Sequence, residues 1–177
     1  MIRNNNNILF IIAARNFNET EYSVTRDSLL KKGFNIFIAS DAHGISVGKD
    51  GMKVKADVSF FNIHTENFAA VVVIGGSGIK QYWNNEALHR VARKFFTQGK
   101  IVAAICSAPV LLSEAGLLKD TAAVCYPEDR AHLETSGARY TDKSVVVSGS
   151  IITARDRFSS ADFADAIASS VRSANNK

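Results

Sequence analysis

A thiol at the end of an apolar strand is the chain's clearest candidate for covalent chemistry. The segment Ile101-Val-Ala-Ala-Ile-Cys106-Ser-Ala-Pro-Val-Leu-Leu runs an apolar strand into Cys106 and opens a helix almost at once. Pro109 suits a first helical turn, where its missing N–H would find no partner anyway. Gly116 is well placed as the stop. A turn this tight crowds the residues two before and two after its apex. Those are Ala104 and Ala108, both small, as the serine version of such an elbow requires. Backbone N–H groups at the helix start should favour the thiolate and lower its pKa, which makes Cys106 a candidate nucleophile. The plainer alternative is a small apolar residue ending a buried strand. Cys125 also ends a strand, but no helix follows closely, and it reads as structural.

Two further segments supply groups that such a thiol would need. In Val71-Val-Val-Ile-Gly75-Gly76-Ser-Gly78 a strand ends in glycines. Glycine lets the backbone approach a ligand and offer N–H groups to a developing oxyanion. The spacing is not that of a dinucleotide-binding loop. In Phe17-Asn18-Glu19-Thr20-Glu21-Tyr22, Asn18 can cap a helix, with Glu21 closing a capping box and Phe17 stapling onto Tyr22. The competing reading sends the Glu21 carboxyl to the sheet edge to face the thiol, where burial would raise its pKa and let it donate a proton.

The elements that must position these residues follow from the pattern. Apolar runs at Ile8–Ala14, Phe34–Ala39, Ala69–Ile74, Ile101–Ile105, Ala122–Cys125, Val145–Val147 and Ile151–Ala154 read as strands. Helical stretches fall at Glu19–Lys32, Glu86–Gln98, Pro109–Ala115 and Ser159–Arg172. Continuous rather than alternating apolar strands imply a sheet buried on both faces. The order implies an α/β fold, an open and mostly parallel sheet sandwiched by helices. Gly44 to Ser59 reads instead as a small β-hairpin turning at Lys49-Asp50-Gly51. Asn4 to Asn7 reads as a frayed polar start.

Composition narrows the function. The 177 residues suit a single domain, 1–177, with one core. No apolar run reaches the ~20 residues of a membrane helix, and the first run lacks a basic flank, so neither membrane nor signal peptide is expected. The net charge of +4 is scattered, which reads as a solvated surface rather than a nucleic-acid site. Two cysteines without CxxC spacing make a disulfide framework unexpected and a reducing cytoplasm the default. His43, His64, His89 and His132 lack metal-ligand spacing, so no metal is expected.

Taken together and in this order, the segments resemble the ThiJ/PfpI superfamily, of class I glutamine-amidotransferase-like (flavodoxin-like) fold. The resemblance is closest to the PfpI branch, whose members include enzymes named intracellular protease and others described as glyoxalases or deglycases. It rests on Asn18-Glu-Thr-Glu21, the hairpin from Ala39 to Gly51, Gly75-Gly76, Ala104-Ile-Cys106-Ser-Ala-Pro109, Tyr126-Pro127 and Thr153-Ala-Arg155. It implies Cys106 as nucleophile, Glu21 as the acid bonded to it, and Gly76 and Ser107 as backbone N–H donors. Gly75, Tyr126 and Arg155 become site neighbours, with no cofactor. It also implies a homodimer or a larger homo-oligomer.

Three positions depart from the family pattern. Protease-type members have histidine directly after the cysteine, where this chain has Ser107. Another branch has a histidine one strand over, where this chain has Tyr126, a phenol of high reference pKa. Ile74 stands where proline is usual. The expected function is therefore cysteine-dependent chemistry on small reactive carbonyls or their adducts on proteins, with Glu21 as acid/base. The alternatives are an intracellular cysteine peptidase, which Ser107 disfavours, and a non-enzymatic oxidative-stress sensor or chaperone using Cys106 oxidation.

Overall fold

The computed structural model describes residues 6–41 and 44–176. His43 and Asn4–Asn5, read above from the sequence, lie outside the described residues. In chain order the elements are β1 (Asn7–Ile11), β2 (Arg15–Phe17), α1 (Glu19–Lys31), β3 (Asn35–Ser40), β4 (Ile45–Gly48), β5 (Lys53–Lys55), β6 (Val58–Ser59) and β7 (Ala70–Val73). There follow α2 (Glu86–Thr97), β8 (Ile101–Ile105), α3 (Pro109–Glu114), β9 (Ala122–Ala123), α4 (Arg130–Thr135), β10 (Arg139–Tyr140), β11 (Val145–Ser148), β12 (Ile151–Ala154) and α5 (Ser160–Asn175).

Seven strands form the central sheet in the order β11-β12-β8-β7-β1-β3-β6. All neighbours run parallel except β11, which lies antiparallel to β12. The continuous apolar strands are explained by burial on both faces. Leu9, Ile11, Val71, Val73, Val102 and Ala104 point to one face, where they meet Leu88, Ala92 and Phe95 of α2 and Leu111 and Leu112 of α3. Ile8, Phe10, Val72, Ala103 and Ile105 point to the other, against Leu29 of α1 and Phe163, Ile167 and Val171 of α5. Truncating a fully buried aromatic here, such as Phe163, costs about 3–5 kcal/mol by the lost transfer energy and the cavity left behind.

The chain order creates a crevice. From β1 the chain passes to β3 on one side, and β7 then returns on the other side of β1. Connections leaving the carboxyl ends of β1 and β7 therefore diverge, the position at which open α/β sheets form their sites. The elbow after β8 lies one strand further along.

Several elements differ from expectation. Of Ala122–Cys125 only Ala122–Ala123 is strand, and it pairs with β10 outside the main sheet. Side chains take its place in the ladder: Val124 N–H donates to Thr153 Oγ1 at 3.0 Å, and Ser148 Oγ donates to Ala122 O at 2.8 Å. Val58–Ser59, read above as part of the hairpin, forms β6 at the edge of the main sheet instead; β2 and β10 carry no pattern in the sequence, and α4 is a helix of six residues.

The expected hairpin is β4 and β5, antiparallel, and β2 joins it as a third strand. One carboxylate ties this small sheet to α1. Glu19 Oε1 accepts from both Asp50 N–H and Met52 N–H at 2.8 Å. Because charge-assisted hydrogen bonds contribute roughly 1.5–3 kcal/mol, Glu19→Ala should lower the melting temperature by several degrees. It should also speed amide hydrogen exchange at Asp50 and Met52. Unchanged exchange at those two amides would show that the hairpin is held by something else.

Candidate active site

The elbow is a local conformation that only its surroundings can hold. Cys106 sits at φ = 64°, in the left-handed region that a residue with a Cβ avoids at a cost of about 1–2 kcal/mol. Its N–H donates to Ala154 O at 2.9 Å, and its carbonyl accepts from Tyr126 N–H at 2.8 Å. The Trp83 indole N–H donates to Ser107 O at 2.8 Å. Pro109 opens α3 as expected. The sulfur is thereby turned out of the strand line into a cavity of about 490 Å³ at the carboxyl edge of the sheet.

The Asn18 segment settles the choice left open above. Asn18 does cap α1, its Oδ1 accepting from Glu21 N–H at 3.1 Å, and Phe17 packs edge-on against Tyr22 at 5.6 Å between centroids. The capping box does not close. Asn18 N–H is taken by Gly75 O at 3.0 Å, and the Glu21 carboxyl points to the thiol instead. Its Oε2 accepts from Gly75 N–H at 3.0 Å, and its Oε1 is buried without a well-formed hydrogen bond. Gly75 must be glycine here: a Cβ would lie 2.6 Å from Glu21 Oε2 and 2.7 Å from Cys106 Cβ. Gly76 adopts φ = 107°, and its N–H faces the sulfur.

Burial dominates the electrostatics. Glu21 is fully buried, and desolvation pushes its carboxyl up to about 7 despite the hydrogen bonds from Cys106 and Gly75. The Cys106 thiol is pushed far above the usual range, first by burial, then by the charge and hydrogen bond of Glu21; the Gly76 N–H opposes this only in part. The lowering expected from the helix start is thus overturned, since α3 has only six residues and a buried carboxyl faces the sulfur. Thiol and carboxyl behave as one coupled pair. Once Glu21 is protonated its charge no longer opposes the thiolate. Cys125 is also pushed up, to about 12, by burial and then by the charges of Asp129 and Glu134. What separates the two thiols is access: Cys106 lines the cavity, whereas Cys125 is fully enclosed.

Of the residues expected at the site, Cys106, Glu21, Gly76, Ser107 and Tyr126 line this cavity, with Gly75 directly behind Glu21. Arg155 does not line it. Its guanidinium turns toward Asp142 and Asp156 at 3.2 Å, and the next residues, Asp156, Arg157 and Phe158, line the cavity in its place. Lys80 also lines it, and buried Asp129 stands behind, accepting from Ser107 Oγ at 2.6 Å and from Lys80 Nζ at 2.5 Å. The sequence carried no signal for this pair, whose members lie 49 residues apart.

No described histidine lines the cavity. His89 bonds Trp83 O at 2.6 Å, and the His132 ring packs tilted against the Trp83 ring at 4.9 Å between centroids, so both support the tryptophan that fixes the elbow. Among the described residues, no group of three or more His, Cys, Asp or Glu side chains could hold a metal ion.

Comparison with known proteins gives the chain a family. A model of the DJ-1/PfpI family matches residues 6–170. The chain belongs to the DJ-1/PfpI family. Within it, the deglycase PfpI of Pyrococcus furiosus is 35% identical over 148 residues, covering 84% of this chain and 89% of the relative. A deglycase of Pyrococcus horikoshii is 34% identical, with the same coverage of both chains. The crystal structure of a ThiJ/PfpI domain protein from Brachyspira murdochii superposes with a TM-score of 0.93 at 32% identity, over 95% of this chain and 97% of that one. Fold and membership of the PfpI branch are as the sequence motifs implied.

The raised carboxyl gives a pH dependence with a definite sign. An unfolded Glu21 loses its proton near 4.5, whereas the folded one keeps it to about 7. Between those values the folded state binds more protons, so stability falls as pH rises. The cost is nil below pH 4.5 and complete above about 7, on the order of 3 kcal/mol. Glu21→Gln should therefore gain thermal stability relative to the native protein across that window. A melting-temperature difference that stays constant from pH 4.5 to 8 would contradict the buried-acid assignment.

Proposed function

We propose that this protein is a cysteine-dependent enzyme acting on small reactive carbonyls, or on their adducts with proteins, in the manner of a glyoxalase or deglycase. The observation that carries the reading is the Glu21 carboxyl, fully buried beside the Cys106 thiol, held by the Gly75 N–H and pushed up to about 7 by desolvation. A group half-ionised near pH 7 can both take and return a proton, which is the condition for efficient acid–base catalysis. The deglycase names of the Pyrococcus relatives point the same way.

A 2-oxoaldehyde such as methylglyoxal illustrates the sequence. Ionised Glu21 takes the thiol proton, and the sulfur attacks the aldehyde carbon as the C=O electron pair moves to oxygen. We assign the Gly76 N–H, which faces the sulfur, and the Ser107 N–H to that oxyanion, which recovers the proton from Glu21 to give a hemithioacetal. Glu21 then removes the C–H proton and returns it at the neighbouring carbon, while the hydroxyl proton passes to that carbon's oxygen, leaving a thioester. Water hydrolyses the thioester to the hydroxy acid and frees the thiol. Substrate and water balance the product, so no cofactor enters.

Peptide hydrolysis asks for more. Its amine leaving group must be protonated, a task histidine performs in cysteine peptidases. Here Ser107 follows the cysteine, and its hydroxyl proton is engaged by Asp129. The cytoplasm, where thiols stay reduced, is the compartment that suits Cys106, and we infer that the chain works there as a homodimer or larger homo-oligomer.

Two variants test the reading. Methylglyoxal turnover should disappear in Cys106→Ala and fall at least about 10²-fold in Glu21→Gln, the usual contribution of one acid–base group. Casein and short fluorogenic peptides should stay intact with the native protein. Cys106-dependent peptide cleavage would put the peptidase alternative first, and full turnover by Cys106→Ala would remove the thiol from the mechanism.

A further inference from the structure

The residue that replaces the family's histidine is not idle in this chain. Ser107 is nearly fully buried, and its Oγ lies 4.0 Å from Cys106 Sγ and 2.6 Å from Asp129 Oδ2. A serine hydroxyl has one proton to give. At these distances that proton belongs to the carboxylate, and the hydroxyl turns its lone pairs toward the sulfur. Asp129 is 2% exposed, and its other oxygen is held by Lys80 Nζ at 2.5 Å. Lys80 reaches in from the turn after Gly76, with its ammonium also 5.3 Å from the Trp83 ring centre. The polar path from the sulfur therefore runs Cys106, Ser107, Asp129, Lys80, through three separate segments of the chain.

We propose that Lys80 and Asp129 are positioning residues that decide, through Ser107, whether the sulfur faces a hydrogen-bond donor or an acceptor. This rests on Cys106 being the reactive thiol. With Asp129 charged, the Ser107 hydroxyl is an acceptor and stabilises the protonated thiol. Lys80 shares the Asp129 charge and weakens that hold, leaving the hydroxyl freer to rotate and donate to a thiolate. No group is oxidised and no bond other than hydrogen bonds changes. Facing the sulfur from the other elements are Glu21 on α1 and, beyond it, Asp156 and Arg157 after β12. Facing Asp129 is Cys125. All of these remain in the variants below, so the comparison isolates the Ser107 path. The sequence placed Ser107 here only as a backbone donor; the chain behind its hydroxyl assigns its side chain a function as well.

The measurement is the rate of Cys106 alkylation by iodoacetamide from about pH 6 to about pH 10, followed by mass mapping of the Cys106 peptide, so that Cys125 does not contribute. Asp129→Asn removes the charge that captures the hydroxyl and should speed alkylation about fivefold, the worth of one hydrogen bond, shifting the profile to lower pH. Lys80→Met should slow it by a similar factor and shift the profile upward. The deciding step is to repeat Lys80→Met in a Ser107→Ala background. If the path runs through the hydroxyl, the Lys80 effect vanishes there, as coupling between partners requires. An undiminished Lys80 effect in that background would overturn the proposal in favour of a direct charge effect, and so would slower alkylation in Asp129→Asn. Should Asp129→Asn not fold, the Lys80 and Ser107 pair of variants decides alone, since Lys80 is partly exposed at the cavity. Failure of the enzymatic reading shows separately, as methylglyoxal turnover surviving in Cys106→Ala, and leaves these alkylation rates untouched.

Discussion

Cys106 holds a backbone conformation that its own side chain disfavours, and much of the site is arranged around keeping it there. At φ = 64° the residue turns its sulfur away from the strand and into the cavity. The hydrogen bonds that hold it come from two places remote in sequence, the end of β12 through Ala154 and the Tyr126 segment. Trp83 adds a third through the carbonyl of Ser107 and is itself held by His89 and His132. Strain of this kind survives only where the surroundings over-determine it. The small side chains at Ala104 and Ala108, both fully buried, leave room for the turn.

The second constraint is the placement of a carboxyl where water cannot reach it. The sheet's switch point brings the start of α1 and the Gly-Gly turn after β7 together, and Glu21 fills the space between them and the elbow. The carboxyl, one glycine N–H and the thiol form a unit in which a proton is worth sharing. Burial raises both groups; the Glu21 charge opposes ionisation of the thiol, whereas the thiol's hydrogen bond eases ionisation of the carboxyl. Such a pair is costly for the fold near neutral pH and useful for chemistry, a trade often met at active sites. It also alters the meaning of the helix start beside the cysteine. The few N–H groups there are outweighed by desolvation, so the thiolate must be reached by moving a proton to a neighbour rather than by a standing depression of the thiol's pKa.

Beside this unit stands the Ser107 hydroxyl, with the buried Asp129 carboxylate and Lys80 behind it. Ser107 differs from histidine in kind, because a hydroxyl relays or orients a proton but does not store one near neutral pH. The absence of histidine from the described cavity lining fits carbonyl addition, which needs a nucleophile and one acid–base group, better than amide cleavage, which must also protonate an amine.

Much of the fold and the centre of the site were legible in the residues alone. Continuous apolar runs such as Ala70–Val73 and Ile101–Ile105 specify a doubly covered parallel sheet, because burial on both faces removes the alternation of a half-exposed strand. Pro109 and the alanines flanking Cys106 mark the elbow through local sterics. Asn18 marks the start of α1 through a cap that needs only three residues of context. What those signals could not decide is where the Glu21 side chain goes, since a capping box and a buried acid call for the same residue at the same spacing. The tertiary structure decides it by giving Asn18 N–H to Gly75 O and Gly75 N–H to Glu21, contacts that exist only once β1 and β7 lie side by side. The same holds for Arg155, which ion pairs with Asp142 and Asp156 draw away from the cavity, and for Lys80 and Asp129, which no local pattern connects. Local sterics and burial periodicity are written along the chain. The electrostatics of the site come from groups far apart in sequence, and they act on one another only after the sheet has set their distances.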